Sequence, residues 1–367
     1  MSLARIASTL RLSVTTVSRA LGGHGDVAEA TRLRVQAEAD RIGYRANVSA
    51  RRLKGGVSDA VAVILPTGPG QLEDAFFLRL LGTIGPRLAA AGLDLLVGAA
   101  RPGAEEMALY RQLAENRRVD GFLLARTRRQ DPRVTYLIDQ GLPFVVHGRT
   151  AETRPHASVD VDGAAAFRQA VRRLLGFGHR RIGLINAPTA YSFAHHREAG
   201  WRDALSEAGL APGPRAEAEA TEENGFRLMQ SMLQAGVPPT AVLCATDRLA
   251  VGALHAVAAS GLRAGQDASV IGYDNLPVAT FTDPPLTSFE PMVDLSAERM
   301  VAMLLSLLRG ASPDGMAELL EARLIARASD GPVPSSQGCR RMPRGDGSGL
   351  EGGTKNHGRD RKARLED

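Results

Sequence analysis

The chain is poor in the features that would commit it to several common classes. It carries only two cysteines in 367 residues, Cys244 and Cys339, and they lie far apart. No disulfide framework follows from such a pair, which suits a reducing cytosol. Cys244 sits in the apolar run "TAVLCA" and reads as a buried thiol. The start of the chain lacks a long apolar h-region, and no run approaches the ~20 apolar residues a membrane span needs. A soluble cytoplasmic protein with no membrane partner is therefore expected. No GxGxxG or GxxxxGK[ST] phosphate loop follows an apolar run, and no G-x-S-x-G elbow occurs. The adjacent His195 and His196 do not suit a two-ligand metal face on a helix, so neither metal nor cofactor is expected. These absences argue against an enzyme. The single tryptophan, Trp201, lies at helical spacing from Leu205 and reads as core.

What is present is an uneven charge. Residues 1–57 hold ten Lys or Arg against four Asp or Glu, while residues 58–330 hold 27 against 31. A basic head on a mildly acidic body is the electrostatic footprint of a protein whose head alone meets phosphates.

The head opens with Leu3, Ile6, Ala7 and Leu10 at helical spacing, which predicts a short amphipathic helix over 2–10. Ser13 can cap a second helix starting at Val14, since its hydroxyl can accept an orphan backbone N–H. In that second helix Val17, Ala20 and Leu21 share one face, and Val14, Thr15, Ser18 and Arg19 lie on the other. The joint 11–13 forces a sharp turn, which makes a helix-turn-helix whose second helix can enter a major groove. The outward residues suit that work. Arg can bond guanine bidentately, Ser and Thr can serve base or phosphate, and Val or a Thr methyl can touch a thymine methyl. A solvated helical hairpin is the plain alternative.

A third helix is expected over 29–42, with Leu33, Val35, Ala39 and Ile42 inward and Gly43 as its stop. In "YRANVSARRLKGG" Asn47 can cap a very short helix over 48–54, ended by Gly55 and Gly56. So few residues cannot offset the nucleation cost alone, so this segment should order only when something holds it. From Asp59 the pattern changes to apolar runs alternating with amphipathic stretches. The runs are "AVAVIL" (60–65), "LDLLVGA" (93–99), "DGFLLA" (120–125), "PFVVH" (143–147), "RIGLINA" (181–187), "AVLCA" (241–245) and "SVIGY" (269–273). Helical stretches fall at 76–91, 163–177, 195–209 and 248–260. Short runs buried on both faces, alternating with helices, imply doubly wound parallel sheets. They form two sets, before and after about Val161.

In "LSVTTVSRAL", "TRLRVQAEADRIGYRAN" and "ARRLKGG" the head resembles the lactose-repressor (LacI/GalR) family of bacterial transcription regulators. "HRRIGLINAP", "HREAGWRDALSEAGL", "PTAVLCATDRLAVGAL" and "SVIGYDN…DPPLTS" extend the resemblance to about residue 329, over a fold similar to periplasmic sugar-binding proteins. The resemblance implies that Val14, Thr15 and Arg19 face base edges, and that Ser13, Thr16, Ser18 and Asn47 meet the DNA backbone. It implies that Ala50 and Leu53 enter the minor groove at the operator centre. Ala28 departs from the family's usual Ser cap of the third helix, at a cost of ~1 kcal/mol.

For the body, ligands of open α/β sheets bind beyond the carboxyl ends of the strands. His147, Thr246 and Asp274 fall there, and Phe76 and Phe77 lie at the first loop-to-helix junction. Aromatic faces can stack on sugar rings, though one of the two phenylalanines reads as core. Asp274 could cap a turn, yet a carboxylate accepting two hydroxyls is what a sugar pocket needs. Arg197 matches an effector-contacting family position, with a surface salt bridge as its alternative. Tyr191 and Phe193 occupy positions that touch ligand in relatives. Thr246 replaces the family's usual Asn, His147 its usual acid after the fourth strand, and Ala220 a frequent aromatic, so the effector's identity does not transfer.

The reading is a helix-turn-helix headpiece (1–46), a hinge helix and linker (47–57), and a two-subdomain effector-binding body (58–330). The first subdomain is expected at about 58–160 plus 290–318, the second at 161–289 plus the end, and a disordered tail at 331–367. The expected protein is a homodimeric repressor that binds double-stranded operator DNA of a carbohydrate-use operon. A small sugar between the subdomains would control it. "FLLARTRRQDPRV" and "FVVHGRT" look like members that control α-glucoside uptake. A cytosolic sugar-binding or sugar-processing protein is the alternative.

Overall fold

The computed structural model describes residues 3–22, 25–44, 58–68 and 75–333. The expected hinge helix, and Asn47, Ala50 and Leu53 with it, lies outside the described residues, as does the tail from 334.

The head is three short helices, α1 (Leu3–Leu10), α2 (Val14–Leu21) and α3 (Glu29–Arg41). Arg11 in the left-handed region, φ 53°, turns the chain between α1 and α2. Ser13 caps α2 by accepting the Thr16 N–H at 3.0 Å. Ile6, Val17 and Val35, one from each helix, are fully buried together and hold the head. Ala28 offers no side-chain cap to α3. The expectation for Leu33 fails, because its side chain is 65% exposed while Val35, Ala39 and Ile42 are buried. Two helical residues stand about 200° apart, so Leu33 cannot share a face with Val35.

The body holds two parallel sheets. The first has strand order β11-β5-β4-β3-β1-β2, built from β1 (Ala60–Pro66), β2 (Asp94–Ala100), β3 (Gly121–Leu124), β4 (Phe144–His147), β5 (Ala157–Val161) and β11 (Ala317–Leu320). Helices α4 (Ala75–Ala90) and α11 (Val293–Leu308) cover one face. Helices α5 (Ala104–Glu115) and α6 (Pro132–Asp139) cover the other. The second sheet has order β7-β6-β8-β9, from β6 (Ile182–Asn186), β7 (Arg215–Glu217), β8 (Ala241–Cys244) and β9 (Ser269–Ile271). It is covered by α7 (Gly163–Gly176) and α8 (Ser192–Glu207) on one face and by α9 (Glu222–Leu233) and α10 (Asp247–Ala259) on the other. An antiparallel pair, β10 (Ser288–Glu290) with β12 (Arg323–Ile325), joins the second core through buried Phe289. Among the described residues the chain thus crosses between the subdomains three times, after β5, after β10 and after β11.

Two expectations need correction. The β2 run is not buried on both faces, since it is the edge strand and Val97 is 47% exposed. Helix α8 begins at Ser192 rather than 195, which places Phe193 in its first turn. The crossing of α9 and α10 is set by small residues. A methyl at Gly252 would sit 1.9 Å from the Glu222 carbonyl oxygen, backbone that cannot swing away. Gly252→Ala gains up to ~1 kcal/mol of helix propensity but loses ~1–3 kcal/mol to overpacking. The variant should unfold at lower urea, and an unchanged or raised midpoint would mean that the helices part freely.

Candidate functional site

Two surfaces carry the residues singled out by the sequence. On the head, Val14, Thr15 and Arg19 of α2 are exposed, Thr16 and Ser18 are half-buried, and Val17 and Ala20 face inward. The Ser13 hydroxyl lies 2.8 Å from that of Thr16, so both are held at the helix start. Arg19 pairs with Asp26 at 2.7 Å, each side chain about half exposed (51%). Such a surface pair contributes ~0–1 kcal/mol. A bidentate contact to a guanine edge is worth more, ~1–3 kcal/mol.

On the body, a cleft of about 930 Å³, open water at its mouth included, lies between the two subdomains. It is floored by the carboxyl ends of strands from both sheets. The structure brings Phe76, His147, Phe193, Arg197, Thr246 and Asp274 together on its walls. Phe77 and Tyr191 do not line it. Phe77 is 3% exposed and packs into the first subdomain's core, because its place on α4 turns it toward the sheet. Tyr191 lies behind the wall, its ring stacked on that of Phe193 at 5.8 Å. Ala220 is on the wall, where it leaves the space an aromatic ring would take.

Arg197 is buried yet forms no ion pair among the described residues. One Nη donates to the Ala245 carbonyl. Its guanidinium carbon lies 3.5 Å from the Tyr273 ring centroid and 4.7 Å from that of Phe193, so two aromatic faces hold the cation. The salt-bridge alternative for Arg197 therefore falls away. His147 stands beside Phe76, ring centroids 5.1 Å apart, and burial pushes its imidazole below the usual value, so it is neutral at pH 7. Burial pushes the Tyr273 phenol up to about 12. Among the described residues, three buried polar atoms at this cleft, His147 Nε2, Arg197 Nε and Tyr273 Oη, have no hydrogen-bond partner. Thr246 is partly committed, since its hydroxyl caps α10 by accepting the Leu249 N–H at 3.3 Å.

Several wall residues escape a reading of the sequence. Tyr273 reads there only as the end of an apolar run. Asp160 lies on β5, whose five residues the pattern of apolar runs does not mark as a strand, and it accepts from Arg149 Nε at 2.7 Å. Arg126 has a left-handed backbone, φ 49°, for which no local signal exists in the sequence. Asp274 also has positive φ, 117°, and its loop is pinned by Asp247. The fully buried Asp247 carboxylate accepts from Ser288 Oγ at 2.6 Å and from the Leu276 N–H at 2.7 Å.

Burial pushes the Asp247 carboxyl up to about 6. A folded pKa above the unfolded value of ~3.9 means the folded state binds the extra proton. Its contribution is complete below the unfolded value and is lost as pH rises through about 6. The thermal midpoint of the unmodified protein should therefore fall relative to that of Asp247→Asn between pH 4 and pH 7. Parallel pH profiles for the two proteins would contradict the assignment.

Comparison with known proteins identifies both domains. Residues 2–47 match the bacterial regulatory proteins of the lacI family, and residues 171–329 match the periplasmic binding protein-like domain. The HTH-type transcriptional regulator RafR of Escherichia coli is 36% identical over 318 residues, 86% of this chain and 94% of that protein. The lac repressor dimer bound to operator and the anti-inducer ONPF superposes with a TM-score of 0.79 at 27% identity, covering 90% of this chain and 99% of that one. The transcriptional regulator CelR–cellobiose complex gives 0.70 at 29%, with the same coverage. A helix-turn-helix head, a two-subdomain cleft and these relatives together establish that the chain belongs to the lacI family of bacterial transcription regulators.

Proposed function

We propose that the protein is a homodimeric repressor of a carbohydrate-use operon, released from or held on its operator by a neutral sugar in the interdomain cleft. The observation that carries the sugar reading is a set of buried atoms without a partner among the described residues, His147 Nε2, Arg197 Nε and Tyr273 Oη, beside the rings of Phe76 and Phe193. Each buried polar group without a partner costs ~1–3 kcal/mol. A polyhydroxylated ring offers hydroxyls to such atoms and an apolar face to the aromatics, which answers both needs at once. Asp274 would accept from vicinal hydroxyls. The related CelR was solved as a cellobiose complex and the lac repressor as a dimer on operator, which supports a sugar and a dimer here. An α-glucoside is the sugar class favoured by "FLLARTRRQDPRV" and "FVVHGRT". On DNA, Val14, Thr15 and Arg19 would read bases. Ser13, Thr16, Ser18 and Asn47 would position the head, with Ala50 and Leu53 in the minor groove.

Thermal-shift titration with maltose, trehalose, sucrose, raffinose and cellobiose tests the cleft. At least one should stabilise the protein, and Asp274→Asn should weaken that sugar ~10-fold or more while leaving operator affinity without sugar unchanged. Equal sugar affinity in the variant would place the ligand elsewhere. Arg19→Ala should cost ~1–3 kcal/mol on operator and much less on random duplex. Equal losses on both duplexes would make Arg19 a phosphate contact.

A further inference from the structure

The motif "ARTRRQDPRV" holds a device that the sugar reading does not use. Arg133, on the first turn of α6, is buried in the first subdomain at 3% exposure. All five of its N–H donors are engaged. Nε and one Nη donate to the two oxygens of Asp131 at 2.9 and 2.7 Å. The other Nη donates to Glu106 at 2.9 Å and to the Ala125 carbonyl at 3.3 Å. The last N–H reaches the Arg126 carbonyl, also at 3.3 Å. Asp131 in turn accepts the Arg128 N–H at 3.0 Å. A guanidinium fork therefore grips both carbonyls that flank the left-handed Arg126.

The consequence lies across the cleft. The turn at Arg126 sends 127–129 along the second subdomain, where Arg128 and Tyr191 form an isolated antiparallel bridge. The Ser192 N–H donates to the Thr127 carbonyl at 2.9 Å, and the Arg129 N–H to the Ala190 carbonyl at 3.0 Å. The same turn lays the Arg126 guanidinium 5.6 Å from the Phe77 ring centroid and 5.8 Å from that of Tyr191, one ring from each subdomain. Phe77 and Tyr191, displaced from the ligand wall, thus bracket a residue that is on it.

We propose that Arg133, with Asp131 and Glu106, is a positioning residue that presets segment 126–129 as a latch between the subdomains on the effector side of the cleft. The proposal rests on the cleft being the effector site for its purpose, but the latch itself needs no ligand. Rigid preorganisation of this segment lowers the entropic cost of closing on a ligand.

Amide hydrogen exchange on the full-length, sugar-free protein tests it. Arg133→Lys keeps the charge beside Asp131 and loses the fork on the two carbonyls. Exchange at the Arg129 and Ser192 amides should accelerate about tenfold, with β6 and β8 amides unchanged, because local opening is separable from global unfolding. Unchanged exchange at those two amides, or acceleration shared equally with β6 and β8, would overturn the proposal. If Arg133→Lys does not fold, Glu106→Gln decides. It should speed the same two amides by a smaller factor, and no change there would overturn the latch. Since no sugar is added, a failure here is distinct from a failure to find the effector.

Discussion

A cation buried without a counter-ion among the described residues is the constraint around which the body is arranged. Arg197 is 8% exposed, and desolvating a guanidinium costs several kcal/mol unless its surroundings replace water. Tyr273, Phe193 and the Ala245 carbonyl do so in part. Neighbouring choices follow. Gly163 opens α7 beside it, and a methyl there would come within 3.0 Å of Arg197 Cγ, so a bare backbone lets the first inter-subdomain crossing pass close by. Tyr191 stacks on Phe193 and so backs one face of the cation. What the described residues leave unsatisfied, Nε of Arg197, Nε2 of His147 and Oη of Tyr273, is what a hydroxyl-rich ligand can satisfy.

The body also shows how a ligand could act at a distance. The crossings between subdomains are few, and the one after β10 is tied by a polar network. Arg79 of α4 pairs with Glu290 at 2.8 Å and with Asp294 of α11 at 2.8 Å. Glu290 also accepts from Asn275 at 2.9 Å, next to Asp274. Charge-assisted contacts of this kind have preferred geometries, so a change of subdomain angle exchanges one set for another. Coupling of a sugar to an operator through such a change is typically ~1–3 kcal/mol and must be equal in both directions.

The parts legible in the sequence are those decided within a few residues. Ser13, Gly43 and the helical spacing of Leu3, Ile6, Ala7 and Leu10 announce the head by local chemistry. Apolar runs announce the inner strands, because both faces of a parallel sheet are covered. Legibility fails where a neighbour far along the chain decides. Nothing near Val97 says that β2 is an edge, and nothing near Phe77 says that the sheet, not the cleft, receives its ring. The left-handed turn at Arg126 is imposed by a guanidinium seven residues on, with Glu106 from another helix. At Leu33 the helical angle itself decides, since a residue two positions before buried Val35 faces away from it.

The most direct test is a crystal structure of the full-length protein with whichever of maltose, trehalose, sucrose, raffinose or cellobiose stabilises it most. Sugar hydroxyls should lie within hydrogen-bond distance of His147 Nε2, Arg197 Nε and Tyr273 Oη, with a ring face against Phe76 or Phe193. A sugar bound elsewhere, or in the cleft with all three atoms still unpartnered, would contradict the effector site proposed for the cleft.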